Sequence, residues 1–183
     1  MAEPASVKPT PATAMMDEVT PLTGGSPWLT AGKPVLTLEA ADAMASAALK
    51  EAQTKKFKDI SVFVLDATGR VLVSKTMLNC PKLIPEIAHA KAGAAVGTHS
   101  SSRSLKDKYV PDRTPQLLAM TTMGFAGNQP FCAVPGGVLC RDGSKNVVGA
   151  IGVSGASADE DEHCAIIGAQ AVGLVTEPAA SSL

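Results

Sequence analysis

The sequence predicts an α+β sandwich, an antiparallel sheet covered by helices. Two pairs of β-branched runs each fold back over a short Gly-containing loop, and apolar residues at helical spacing precede and follow each pair. Between the first helix and the first strand there is no G-x-G-x-x-G, and Gly-Val-Ser-Gly155 has no Lys for a phosphate loop, so a dinucleotide fold is not expected. At 183 residues the chain is long enough for one domain of ordinary size and too short for two large ones. Its apolar fraction is 45%, yet only six residues are aromatic, so Ala, Val, Ile, Leu and Met must fill the core.

Residues 1–34 are rich in Pro, Ala and Thr without a sustained apolar period. They are expected to be a flexible tail, with Trp28 and Leu29 the residues able to pin it to the body or to a neighbouring subunit. Thr37 can cap a helix running to about Lys55, whose Leu38, Ala41, Ala45, Ala48, Leu49 and Ala52 form a small apolar face. Ile60–Leu65 and Val71–Met77 flank Asp66–Arg70 and read as a β-hairpin. A second helix is predicted from Ile84 to Thr98, with Lys91 inside its apolar stripe of Ile84, Ile87, Ala88, Ala94 and Ala95.

The polar segment His99–Val110 is expected to be a crossing loop or an irregular helix. Thr114 and Pro115 then start a short helix through Met123. Phe131–Arg141 and Asn146–Ser154 read as a second pair of strands around Asp142–Lys145. On one face of the latter strand Val148, Ala150, Gly152 and Ser154 are small enough to admit a helix or a ligand. Ser157–Glu160 is a capping box before a last helix presenting Cys164, Ile167, Gly168, Ala171, Leu174 and Val175, and Asp159 to Glu162 oppose the positive end of its dipole. The domain is expected over residues 35–177, with 178–183 as a short tail.

Sixteen basic and seventeen acidic residues give a formal charge of -1, which offers no general attraction for nucleic acid or an anionic membrane. No uncharged apolar run reaches the length of a membrane span, and no secretory signal pattern opens the chain, so the expected location is the cytoplasm. Cys80, Cys132, Cys140 and Cys164 include no C-x-x-C pair and read as reduced, buried thiols. No internal repeat is present.

Val134-Pro-Gly-Gly-Val-Leu-Cys-Arg-Asp142, Val148-Gly-Ala-Ile-Gly-Val-Ser-Gly-Ala156 and Asp161-Glu162, together with Lys91-Ala92 and Ser101-Ser-Arg103, resemble the GlcG/HbpS family. That family includes the carboxy-terminal domain of PduO-type proteins. The resemblance covers roughly residues 35 to 175 and implies a profilin-like sandwich, a homo-oligomer, and heme as cofactor, with heme degradation or redox sensing as the finer role. It says nothing of the amino-terminal tail.

Read for heme, the candidate cofactor-binding residues are Lys91, His99, Arg103, Gly136 and Gly137. Lys91 is an ammonium in an apolar stripe and must snorkel or find a partner, which makes it suited to a carboxylate. Arg103, with Ser101 and Ser102, is suited to a propionate or another small anion, or else belongs to a solvated loop. Gly136 and Gly137 permit a turn or form a pocket wall. His99, at the end of the second helix, is the candidate iron ligand, or it merely meets the helix's negative end. His89 and His163 fall on polar helix faces and are expected at the surface.

The alternatives to a heme-binding protein are a small-molecule enzyme of unknown reaction and a homo-oligomeric assembly module without a cofactor. The chain contains Ser/His and Cys/His residue types but no triad signature.

Overall fold

The computed structural model describes residues 32–183. The order is α1 (Leu38–Lys55), β1 (Ser61–Asp66), β2 (Val71–Thr76), α2 (Ile84–Thr98), α3 (Ser102–Tyr109), α4 (Thr114–Ala126), β3 (Gly137–Arg141), β4 (Val147–Ser154), α5 (Ala158–Gln170) and β5 (Val175–Glu177). The five strands form one sheet in the order β2-β1-β4-β3-β5, antiparallel at each pairing. The fold is α+β, as the sequence predicts. The proposed tail, with Trp28 and Leu29, lies outside the described residues except for its last three.

Helices cover both faces of the sheet. On one face α1 and α5 pack over Val62, Val64, Val138, Ile151 and Val153, and the facing helix residues are mostly Ala41, Ala45, Ala48, Ala165 and Ala169. On the other face α2 lies across β4, β1 and β3. There Leu65 and Ala150 meet Ala92, Ala95 and Val96. The approach is close because β4 presents Gly152, where an added Cβ would collide with the Ala88 carbonyl and stand 2.7 Å from the Ala92 nitrogen. The small strand face therefore admits a helix.

Local chemistry sets the element ends. Thr37 caps α1, accepting from the Ala40 N–H at 3.2 Å, and Ser157 and Glu160 form the reciprocal capping box of α5. The β1–β2 turn is built on Asp66, whose carboxylate accepts from the N–H groups of Thr68 and Arg70, the Thr68 hydroxyl and the Arg70 guanidinium.

Four elements depart from expectation. The stretch after His99 is a regular helix, α3, because Ser101 supplies the cap its polar sequence requires, accepting from the Ser104 N–H at 3.1 Å. Helix α4 runs three residues beyond Met123 and is preceded by Arg113, not Thr114, at its cap position. Residues 131–136 are irregular, and β3 begins only at Gly137. Helix α5 stops at Gln170, so Leu174 is not on it and Val175 starts β5, which pairs with β3. Gly173, at a φ of 79°, makes that turn.

Candidate functional site

The residues singled out in the sequence fall into two places. Lys91, Arg103, Gly136 and Gly137 meet around the start of α5, whereas His99 stands apart at the far end of α2. Lys91 projects from the sheet side of α2 and is 2% exposed. Its ammonium donates to Asp161 Oδ2 at 2.8 Å and to the Val153 carbonyl at 3.0 Å. Asp161 Oδ1 accepts from the Ala156 N–H. Burial pushes the Asp161 carboxyl up while the Lys91 charge works against it.

The glycines make room for this pair. Gly136 has a φ of 120°, and an added Cβ would stand 2.9 Å from Lys91 Nζ; at Gly137 it would collide with the Lys91 carbonyl. Ser102 closes the corner, accepting from the Gly137 N–H at 2.8 Å and donating to its carbonyl at 3.2 Å.

Arg103 reaches α5 from α3, donating through Nε to Glu162 Oε2 at 2.7 Å and through Nη2 to Asp159. Glu162 is fully buried, and its Oε1 has no partner among the described residues. Burial raises its carboxyl pKa, with Arg103 opposing. The acidic start of α5 is therefore more than a dipole complement: Asp161 and Glu162 are the counter-ions of the two cations. An anion-binding use of Lys91 or Arg103 requires these pairs to open.

His99 caps α2 in the left-handed region at a φ of 52° and is exposed. The other two histidines are not surface residues of the expected kind. His163 is half-buried, its Nε2 2.8 Å from Glu51 Oε1 and its Nδ1 3.3 Å from Ser181 Oγ, which draws the terminal segment back onto α5. His89 is half-buried too, stacked on Phe63 with ring centroids 5.0 Å apart and planes 12° apart. The period of α2 conceals this, because Phe63 comes from β1. Desolvation lowers the His89 pKa, with Glu86 pulling the other way.

Concave surface lies on the outer side of α2, away from the ion pairs. The segment Gln129–Phe131 crosses over Gly93, where an added Cβ would collide with the Pro130 carbonyl. Beside this crossing, α2 and α4 enclose grooves of about 540 Å³, lined by Leu83, Ala90, Phe125 and Phe131, and about 350 Å³, lined by Gly97, Met120, Met123 and Phe131. A smaller cavity of about 110 Å³, between α2 and the β1–β2 turn, holds His89, Gly93, Val96 and Gly97. Sequence reasoning missed this region because α4 looked like an ordinary short helix. The available signal was that Thr114–Ala126 contains no charged residue. None of its residues is buried, and Leu118, Met123 and Phe125 are 62%, 73% and 89% exposed.

The described residues include no group of three His, Cys, Asp or Glu able to hold a bare metal ion. All four cysteines are free, but only Cys140 and Cys164 are buried as expected; Cys80 and Cys132, in the irregular segments before α2 and β3, are half-buried. Burial pushes Cys140 and Cys164 up to about 12, which keeps them as thiols at neutral pH. No described helix is long and apolar enough to cross a membrane.

Fold and site together define a small α+β domain with helices on both sides of an antiparallel sheet, a buried ion-pair corner and an open apolar groove. The chain belongs to the HbpS-like family, described as haem degrading protein HbpS-like, whose model matches residues 36–170. It is similar to the crystal structure of HbpS at 27% identity and a TM-score of 0.67, over 84% of this chain and 99% of that one. A double mutant of Streptomyces reticuli HbpS gives 27% identity and a TM-score of 0.66, over 85% and 98%. The PduOC domain, crystallised as a heme complex, shares the fold at 22% identity and a TM-score of 0.67, over 79% and 99%. A comparison with curated proteins gave no match.

Proposed function

We propose that this protein binds heme in the apolar groove between α2 and α4. The observation that carries the reading is α4 itself, a charge-free helix whose Met123 and Phe125 line grooves beside α2 instead of a core. A groove of several hundred Å³ with apolar walls suits a porphyrin, whose affinity comes largely from buried area. Family membership supports the same choice of ligand. Bound heme supplies a redox-active iron; heme degradation or redox sensing is the finer role that goes with it. In this reading Lys91, Arg103, Gly136 and Gly137 support the fold behind the groove, since both cations already have buried or half-buried partners.

Hemin titration followed by absorbance, run beside a control protein, tests the reading. A saturable Soret shift is expected, with affinity falling roughly tenfold or more in the Met123→Ala/Phe125→Ala double variant. Loss of that band with reductant and oxygen would identify degradation. Wild-type protein that behaves like the control overturns the proposal.

A second reading has its own observation. Leu118 lines neither groove and is still 62% exposed, which favours a homo-oligomer in which α4 meets a second copy.

A further inference from the structure

We infer that Met123 supplies the iron ligand for heme held between α2 and α4, the role for which the sequence singled out His99. The inference rests on the heme reading above and names the atom that meets the iron. Heme iron is held axially by His, Cys, Tyr or Met side chains. Among the described residues, no His, Cys or Tyr lines either of the two grooves beside α4; Met120 and Met123 do, both in the groove of about 350 Å³.

The two thioethers differ in what surrounds them. Met120 is half-buried and packs with Leu105, Tyr109 and Ala94, so its side chain is committed to the body of the domain. Met123, three residues on and therefore its neighbour along α4, is 73% exposed and joins none of the core clusters. Gly97 of α2 lines the same groove, and an added Cβ there would meet nothing within 4 Å, so the space before Met123 is open to a ligand. The two grooves share Gly124, Gln129, Pro130 and Phe131, which continues the apolar surface towards Phe125. An unbranched side chain with three rotatable bonds can bring its sulfur to iron without moving the helix.

A thioether is a neutral, soft donor with no proton to lose, so its bond to iron does not follow an imidazole titration. It also favours ferrous over ferric iron and raises the reduction potential. The other donor on the grooves is Glu86, a charged oxygen in the larger one, which makes Glu86→Gln the control.

Hemin-loaded wild type, Met123→Leu, Met123→His, Met120→Leu and Glu86→Gln should be compared by absorbance and magnetic circular dichroism in both oxidation states, with far-ultraviolet circular dichroism confirming that each is folded. Wild type, Met120→Leu and Glu86→Gln are expected to share a thioether-ligated spectrum that stays constant from about pH 5 to 8. Met123→Leu, close in volume, should bind hemin with affinity reduced less than roughly tenfold, lose the sulfur-to-iron charge-transfer band and show a lower reduction potential. Met123→His should replace the wild-type spectrum with an imidazole-ligated one. If Met123→Leu keeps the wild-type spectrum while hemin still binds, or if Glu86→Gln alone changes it, the ligand assignment fails and the heme reading stands. Wild-type protein that does not take up hemin overturns both.

Discussion

Lys91 Nζ and Asp161 Oδ2 lie 2.8 Å apart across 70 positions of sequence, both side chains almost wholly buried, and so tie α2 to the start of α5 through the sheet between them. Removing one partner leaves a buried charge without compensation, a loss on the order of 3–5 kcal/mol. Lys91→Met should lower urea stability by about that much, and Lys91→Met/Asp161→Leu should recover part of it. A ligand-binding lysine would behave differently, with little change in stability and weaker hemin binding. Chemical denaturation of the three variants beside hemin titration separates the two roles.

Asp66 makes the first hairpin pH-dependent. Burial alone would raise its pKa, but hydrogen bonds from Thr68 and Arg70 outweigh it and hold the carboxyl below its ordinary value. A lowered folded pKa means that the unfolded chain takes up the proton first as pH falls. The contribution of Asp66 is therefore full above the unfolded value near 4 and fades as pH drops through the folded one. Asp66→Ala should cost about 2 kcal/mol at pH 7, and the gap from wild type should narrow in urea titrations at pH 3. A gap of constant size across that range would show that the carboxylate's charge is irrelevant.

Period and capping made most elements legible. Thr37 and the Ser157–Glu160 box fixed two helix starts, and the small face of β4 announced the close contact that α2 makes. What escaped depended on partners distant in sequence. Val175 pairs with Arg141, and a three-residue strand has no period of its own. His89 appeared solvent-facing because only the fold brings Phe63 beneath it. Lys91 was recognisable as an ammonium needing a partner; that the partner is Asp161 was hidden, since the acidic cluster already had an adequate explanation in the α5 dipole.

Gly152 tests the packing that positions α2. An added methyl group has no space there: it meets the Ala88 carbonyl and comes within 2.8 Å of the Ala92 Cβ. Backbone cannot yield cheaply, so Gly152→Ala should destabilise by about 1–3 kcal/mol through overpacking. Gly143, in the exposed β3–β4 turn with nothing within 4 Å of an added Cβ, serves as the control. Thermal unfolding should separate the two variants by several degrees; equal melting temperatures would mean that α2 can move off the sheet freely.

The remaining prediction concerns assembly. Interface cores are depleted in charge and enriched in Met and Phe, and α4 has that composition while none of its residues is buried. Leu117 and Met120 turn towards Leu105, Tyr109 and Ala94, leaving Leu118 on an outward face that contributes to neither groove. Leu118→Asp can therefore disturb a subunit contact while sparing the proposed heme site. Light scattering at micromolar concentration should give an oligomer for the wild type and a smaller species for Leu118→Asp, with unchanged circular dichroism and hemin affinity. A wild-type monomer would remove the assembly reading, and an oligomer untouched by Leu118→Asp would move the interface elsewhere. Loss of hemin binding together with assembly would mean that the groove is complete only when a second copy covers it.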